Sequence, residues 1–398
     1  MTFDADELTE AGRALLPEAV EVRRAMHRHP ELGLELPRTQ QLVLERLADL
    51  DLDDVRTGTT CTSVTAELVG DPDGPTVLLR ADMDALPMPE DTDLAYRSEV
   101  DGAMHACGHD AHTAMLLGAA RLLADRRHEL PGTVRLMFQP GEEGHHGAVR
   151  MLDDGVADGV DRAFALHVTP NLPAGWLGTR AGPLLASTDD FCVVVRGRGG
   201  HASTPHLAND PIPVACEIVG ALQTFVTRRV DAFQPAVISV TRIQAGTAYN
   251  VIPETAELRG TIRAVAPRTR ASAIAGLERI ATNVAAAHEM TATVEVFEGY
   301  HVTVNDAERA AGTLATATTL LGDGRVVDMP APVMGGEDWS YVLERVPGAM
   351  AFLGMCPPGA DPRTAPANHS NKMTIDEDVM ATGIAVHAAM ALDGLTSS

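Results

Sequence analysis

The stretch Met104-His105-Ala106-Cys107-Gly108-His109-Asp110-Ala111-His112 packs three histidines, a cysteine and an aspartate into nine residues. Thiolate and imidazole are metal ligands, and a short turn just before a helix can hold a divalent ion between them. A short match of this kind has a second reading: Cys107 as a buried thiol filling space like a small hydrophobe, with the histidines as capping or surface residues. Partners elsewhere in the chain favour the metal. Asp82, the adjacent pair Glu142-Glu143, and His167 each stand directly after, or within a few residues of, a short apolar run.

Those runs are what must position the chemistry. Residues 76–80, 133–138 and 163–166 are apolar and follow Asp73-Gly74-Pro75, Pro131-Gly132 and Asp158-Gly159, which predicts buried strands. Behind the histidine stretch, Met115, Leu116, Ala119, Leu122 and Leu123 recur at spacings of three and four, which predicts a helix. Helical patterning also covers 11–50, interrupted at His29-Pro30, with a second helix over 39–50. Alternating strands and helices predict an α/β fold, a mostly parallel sheet with helices on both faces. In such sheets ligands bind beyond the carboxyl ends of strands, where Asp82, Glu142-Glu143 and His167 fall.

The pattern changes near Arg180-Ala181-Gly182-Pro183. Strands are expected over 191–195, 236–243, 257–263 and 293–297, with helices over 211–229 and 269–288. That β-α-β-β-α-β order predicts an inserted ferredoxin-like α+β domain. The expected division is 1–185 for the first part of a catalytic domain, 186–300 for the insert, and 301–398 for the rest, with helices over 308–320 and 379–391.

Composition narrows the partners. With 45% hydrophobic and 22% charged residues the chain reads as globular. A net charge of −24 excludes long-range attraction to nucleic acid or an anionic membrane surface. An anionic group on a substrate would have to meet a local arginine. Five cysteines without paired spacing, and a start without a basic, apolar leader, predict reduced thiols in the cytoplasm. No apolar run is expected to span a membrane.

Taken together, His27 with Pro30-Glu31-Leu32-Gly33, Arg80-Ala81-Asp82-Met83-Asp84, the histidine stretch, Gln139-Pro140-Gly141-Glu142-Glu143, His167, Gly200-His201, Asn250-Val251-Ile252-Pro253, Gly335-Gly336-Glu337-Asp338 and His369 form a series across nearly the whole chain. The series resembles the M20 metallopeptidase/amidohydrolase family, in its aminoacylase, hippurate hydrolase and auxin-conjugate hydrolase branch. The resemblance implies that Cys107, His109, Glu143, His167 and His369 hold two divalent ions, zinc foremost with manganese or cobalt as alternatives. It implies that Glu142 is the general base and that Asp82 orients the site. It further implies that His201 reaches into the active site of a partner subunit, in a homodimer or larger homo-oligomer. Asn250 and Arg263 stand where related members contact the substrate's carboxylate end.

The implied activity is hydrolysis of an N-acyl amino acid or similar small amide by water attack. A carboxypeptidase or dipeptidase with the same centre is the rival within hydrolases. A metal-loaded binding protein is the rival outside them, and the intact Glu142 argues against it, because a binder has no use for a base. On an extended loop, adjacent side chains point apart, so Glu143 is expected to face the metals and Glu142 the water. Two features depart from the family pattern: His145-His146 follow the glutamate pair where small residues are common, and Arg198 stands where lysine is frequent.

Overall fold

A computed structural model describes residues 3–396. The chain divides into two compact units, one formed by Met1–Gly182, Val304–Ala331 and Asp338–Ser398, the other by Pro183–Thr303 and Pro332–Glu337.

The first unit is built on an eight-stranded sheet. Its centre is a run of parallel neighbours: Thr133–Gln139, Thr76–Asp82, Arg162–Thr169 and Gly348–Gly354. Every residue of Gly348–Gly354 is buried, as are six of the seven in Thr76–Asp82. Such runs are apolar without alternation because helices cover both faces of a parallel sheet. Antiparallel strands Asp54–Thr57 and Val64–Val69 extend one edge. Leu177–Thr179 joins Gly348–Gly354 antiparallel and Val326–Asp328 parallel at the other. The edge strands escaped the sequence reading because they are short and carry little periodic signal.

Helix boundaries follow local chemistry. Asp4 caps Ala5–Arg28 by accepting from the Asp6 and Glu7 amides. The next helix, Pro37–Leu47, starts on a proline and is capped from outside, the Glu31 carboxylate accepting from the Arg38 and Thr39 amides. The C-terminal segment Glu377–Thr396 is long and apolar enough to cross a membrane by length and composition, which the sequence reading had not anticipated. Of its apolar 18-residue window 78% is buried inside the unit, and core packing accounts for its apolarity.

The second unit has a four-stranded antiparallel sheet, in spatial order Ala236–Ala245, Thr255–Ala264, Ser187–Arg196, Thr291–Glu298. Helices Pro211–Arg229 and Pro267–Ala287 supply its core, with Ile218, Leu222 and Leu277 fully buried against Val193, Leu258 and Ile262. The β-α-β-β-α-β order with this strand arrangement is the ferredoxin-like pattern.

Candidate metal centre

The centre is assembled at the carboxyl ends of the parallel strands. Thr76–Asp82 ends in Asp82 and leads to Asp84; Thr133–Gln139 leads to Glu142 and Glu143; Arg162–Thr169 carries His167. Helix His109–Ala124 begins at the ring of His109, after Gly108 with φ of +89°. A Cβ at Gly108 would lie 2.3 Å from Val168 Cγ2, so glycine lets the Cys107–His109 turn press against the neighbouring strand.

The five candidate ligands converge. The ligand atoms of Cys107, His109 and His167 lie within 4.8 Å of one another, and those of Cys107, Glu143 and His369 form a second such group that shares the sulfur. His167 Nε2 is 3.5 Å from Cys107 Sγ, and His369 Nε2 is 3.1 Å from Glu143 Oε1. Ring orientations are set from behind. His109 Nδ1 donates to the Asp84 carbonyl at 2.9 Å and His167 Nδ1 to the Val168 carbonyl at 2.8 Å. Each ring therefore turns its Nε2 lone pair toward the cluster, the arrangement that metal-binding histidines adopt. His109 Nε2 is buried without a hydrogen-bond partner, and the buried Glu143 Oε1 meets the half-exposed His369 ring. An unbonded buried imidazole nitrogen, a carboxylate, a sulfur and two further imidazoles fit a divalent cation. His369, half-exposed, holds a left-handed backbone with φ of +68°.

Burial and close neighbours move the cluster's groups away from their ordinary values. Hydrogen bonds to Cys107 and Glu143 push His369 up to about 10. Burial works against a charged His109, yet the Asp82 carboxylate and the Cys107 sulfur raise it well above the ordinary imidazole value. Burial, reinforced by His112, holds His167 well below it, and burial together with Glu143 pushes the Cys107 thiol up. A metal entering here displaces protons.

Glu142 and Glu143 sit on a tight turn, a correction to the extended loop expected from sequence. Gly141 and Gly144, with φ of +70° and +81°, permit the turn. The Asp84 carboxylate fastens it, Oδ1 accepting from the Glu142 amide and Oδ2 from the Glu143 amide, both at 3.0 Å. The carboxylates of Glu142 and Glu143 therefore do not diverge fully: one oxygen of each lies within 4.8 Å of the other and of a His109 ring nitrogen.

Asp82 is engaged on both oxygens. Oδ1 accepts from His112 Nδ1 at 2.5 Å, and Oδ2 lies 2.7 Å from Arg80 Nη1 and 3.5 Å from His109 Nε2. Arg80 also reaches Asp338 at 3.2 Å, and Gln139 donates to both Asp338 oxygens at 2.8 and 2.9 Å. Asp84, which fastens the glutamate turn, was given no role from the sequence; His112, read there as structural, accepts at Nε2 from the Val168 amide at 2.8 Å. The alternation Asp82-Met83-Asp84 was the available signal, since residues two apart on an extended segment face the same way.

His201, Asn250 and Arg263 belong to the second unit. His201 is exposed on the short strand Gly200–His201, paired with Val251–Ile252. Its Nδ1 accepts from the Ser203 amide at 3.1 Å, which leaves Nε2 as the donor in the neutral ring. Asn250, also exposed, is brought beside it, its carbonyl accepting from the Ala202 amide at 3.0 Å. Arg263 lies in the four-stranded sheet, half-buried, with burial lowering its pKa against the pull of Asp190 and Asp189.

Comparison with known proteins agrees with this geometry. Residues 78–393 match the model of peptidase family M20/M25/M40. Thermostable carboxypeptidase 1 of Saccharolobus solfataricus is 39% identical over 376 residues, 94% of each chain. N-acetylcysteine deacetylase of Bacillus subtilis is 38% identical over 387 residues, 96% of this chain and 98% of its own. The crystal structure of the Bacillus subtilis YXEP protein, described as a dinuclear metal binding peptidase from the M20 family, superposes with a TM-score of 0.84 at 35% identity, covering 97% of this chain and 99% of that one. A family match across most of the sequence, relatives alike over nearly its full length, and a shared two-unit fold lead to one conclusion: this chain belongs to peptidase family M20/M25/M40 and is a hydrolase of amide or peptide bonds.

Proposed function

We propose that the protein hydrolyses N-acyl amino acids at a centre of two divalent ions held by Cys107, His109, Glu143, His167 and His369. The observation that carries the reading is the shared sulfur: Cys107 belongs to two ligand groups at once, one with His109 and His167, the other with Glu143 and His369. The similarity to a B. subtilis deacetylase of N-acetylcysteine supports an acyl-amide substrate. Zinc suits this donor set best, with manganese or cobalt as alternatives.

Bound ions would supply Lewis acidity, lowering the pKa of a water and polarising the amide carbonyl. Glu142, buried at 5% exposure beside that position, takes the proton of the attacking water and returns it to the departing amine. Asp84 keeps the Glu142–Glu143 turn from drifting, and Asp82 with Arg80 and His112 fixes the floor on which His109 rests.

In the same reading the second unit is an inserted lid and dimerisation domain. His201 donates through Nε2 to the developing oxyanion in the partner subunit of a homodimer, an effect worth roughly 3–4 kcal/mol per donor. Asn250 and Arg263 receive the substrate carboxylate. A cytoplasmic location agrees with five free cysteines.

A carboxypeptidase activity is the second reading, favoured by the 39% identity to thermostable carboxypeptidase 1. A panel of acetyl-, benzoyl- and indoleacetyl-amino acids against dipeptides, with zinc, manganese or cobalt added, separates the two. At least one acyl-amino acid is expected to exceed every dipeptide by about tenfold or more in kcat/KM, or about 1.4 kcal/mol. The reverse order would establish the peptidase.

A further inference from the structure

His369 reaches the cluster from a segment without regular structure, between the strand Gly348–Gly354 and the C-terminal helix. Its backbone is left-handed, a conformation that a non-glycine residue keeps only when its surroundings impose it. The residue before it supplies the constraint. Asn368 Nδ2 lies 2.9 Å from the Cys107 carbonyl, 3.2 Å from the Val168 carbonyl and 3.9 Å from Cys107 Sγ. An amide has two N–H groups, and here both are directed at carbonyls next to candidate ligands. The Val168 carbonyl is also the acceptor that orients His167, at 2.8 Å from its Nδ1. The His369 amide in turn donates to the Ala106 carbonyl at 2.7 Å. One side chain thus ties together three segments distant in sequence, those bearing Cys107, His167 and His369.

We propose that Asn368 is a positioning residue of the metal centre, its amide holding Cys107, His167 and His369 in the register that lets them share cations. The proposal rests on the metal reading above. Its physical content is geometric: three ligands on three segments keep a fixed separation only if something spans the segments, and outer groups that orient ligands typically matter by about 10–100-fold in metal affinity. Asn368 is half-buried and its neighbour is half-exposed, so the role is not that of a core residue whose loss unfolds the chain. Asn171 provides a contrast. Its Nδ2 donates to the carbonyls of Pro362 and Ala365, at 2.9 and 3.1 Å, fastening the same segment further upstream without touching a ligand-bearing residue.

The test is a cobalt(II) titration of chelator-stripped full-length protein, following bound cobalt and the thiolate-to-cobalt charge-transfer band. Asn368→Asp keeps the size of the side chain but sets a carboxylate against two carbonyl oxygens. It is expected to weaken cobalt binding by about tenfold or more and to shift the band, with an unchanged metal-free urea midpoint. Asn171→Ala is expected to titrate like wild type. An Asn368→Asp protein that titrates like wild type overturns the proposal. So does an equal loss in Asn171→Ala, or a loss matched by a lower metal-free midpoint, since either makes Asn368 a mere tether. Wild-type protein that binds no cobalt through sulfur would overturn the metal reading itself, and this proposal with it.

Discussion

His109 and Asp110 are consecutive, yet they belong to two clusters of opposite character. His109 joins the rim cluster with Cys107, Glu143, His167 and His369. Asp110 joins an inner cluster, where its Oδ2 lies 2.7 Å from His27 Nδ1 and 3.2 Å from Arg23 Nε. Arg23 continues to Glu377 at 2.6 Å and to the Tyr96 hydroxyl at 3.0 Å, and His27 Nε2 sits 3.3 Å from Glu90. The residue types are similar, but the inner cluster contains its own permanent cation, the guanidinium of Arg23. The rim cluster presents a sulfur, imidazoles and a carboxylate with no side-chain cation of comparable permanence among its five members. A group of donors completed by the chain itself is structural; one that needs a charge from outside can bind and react.

If that distinction is right, substitutions in the two clusters should have crossed effects. The largest is expected at the rim: Glu142→Gln should lower kcat by roughly 10²–10⁴ while zinc content and unfolding midpoint stay near wild type. Metal analysis with steady-state kinetics checks it, and unchanged kcat would remove Glu142 from the proton path. Arg23→Met should do the opposite. It takes the guanidinium from buried Asp110, which keeps only His27, and leaves half-buried Glu377 to Arg24, a loss of about 3 kcal/mol in urea unfolding. Its folded fraction should retain far more turnover than Glu142→Gln; the reverse would place the inner cluster in the reaction.

Smaller effects sharpen the contrast. Zinc at about 100 times its Kd should stabilise the protein by roughly 2.7 kcal/mol against a chelator control. Cys107→Ala should abolish most of that increment and Arg23→Met should preserve it, as thermal melts with and without zinc would reveal.

The last effect concerns pH. His27 and His105 have ring centroids 6.2 Å apart, but their pKa values move in opposite directions. Burial works against a charged His27, and its partners Asp110 and Glu90 overcome it, whereas burial, against the pull of Asp110, pushes His105, whose ring nitrogens have no hydrogen-bond partner, down to about 3. His387, against Phe164, is likewise buried without partners and pushed to about 3. For these two the unfolded chain binds protons below an ordinary value near 6.5 that the folded chain refuses. Stability must therefore fall with acidification from about pH 6.5 toward 3, by roughly 1.4 kcal/mol per pH unit for each ring. His27, raised, has the opposite sign: its contribution is complete below the unfolded value and lost as pH rises through the folded one. His387→Leu should flatten the acid limb by one ring's share in urea unfolding between pH 6 and 4; an unchanged slope would mean the ring is solvated.

Much of the architecture could be read from the chain. Apolar runs bounded by glycine and proline predicted central strands over 76–80, 133–138 and 163–166, inside the observed Thr76–Asp82, Thr133–Gln139 and Arg162–Thr169, because a strand buried on both faces has a local compositional signature. The strand Gly348–Gly354 has the same all-buried character but was not picked out, lying next to Pro347 and amid short segments of mixed polarity. The ferredoxin-like order of the second unit was legible from the succession of predicted strands and helices.

The amino-acid sequence by itself determined which ligand chemistries were present, and that Asp82 and Glu142-Glu143 would stand at or just past strand ends, since periodicity and strand termini are local properties; the strand carrying His167 runs two residues beyond it, to Thr169. Tertiary structure alone decided which acid did what. Asp82 and Asp84 are indistinguishable by type and spacing, yet one meets Arg80 and His112 while the other grips the amides of Glu142 and Glu143. It also decided that His27 would meet Asp110 and that Arg23 would meet Glu377, contacts between segments far apart in the chain. Such pairings depend on how helices and strands register across the core, and the free energy of a buried charge depends on its nearest neighbours rather than on its own identity.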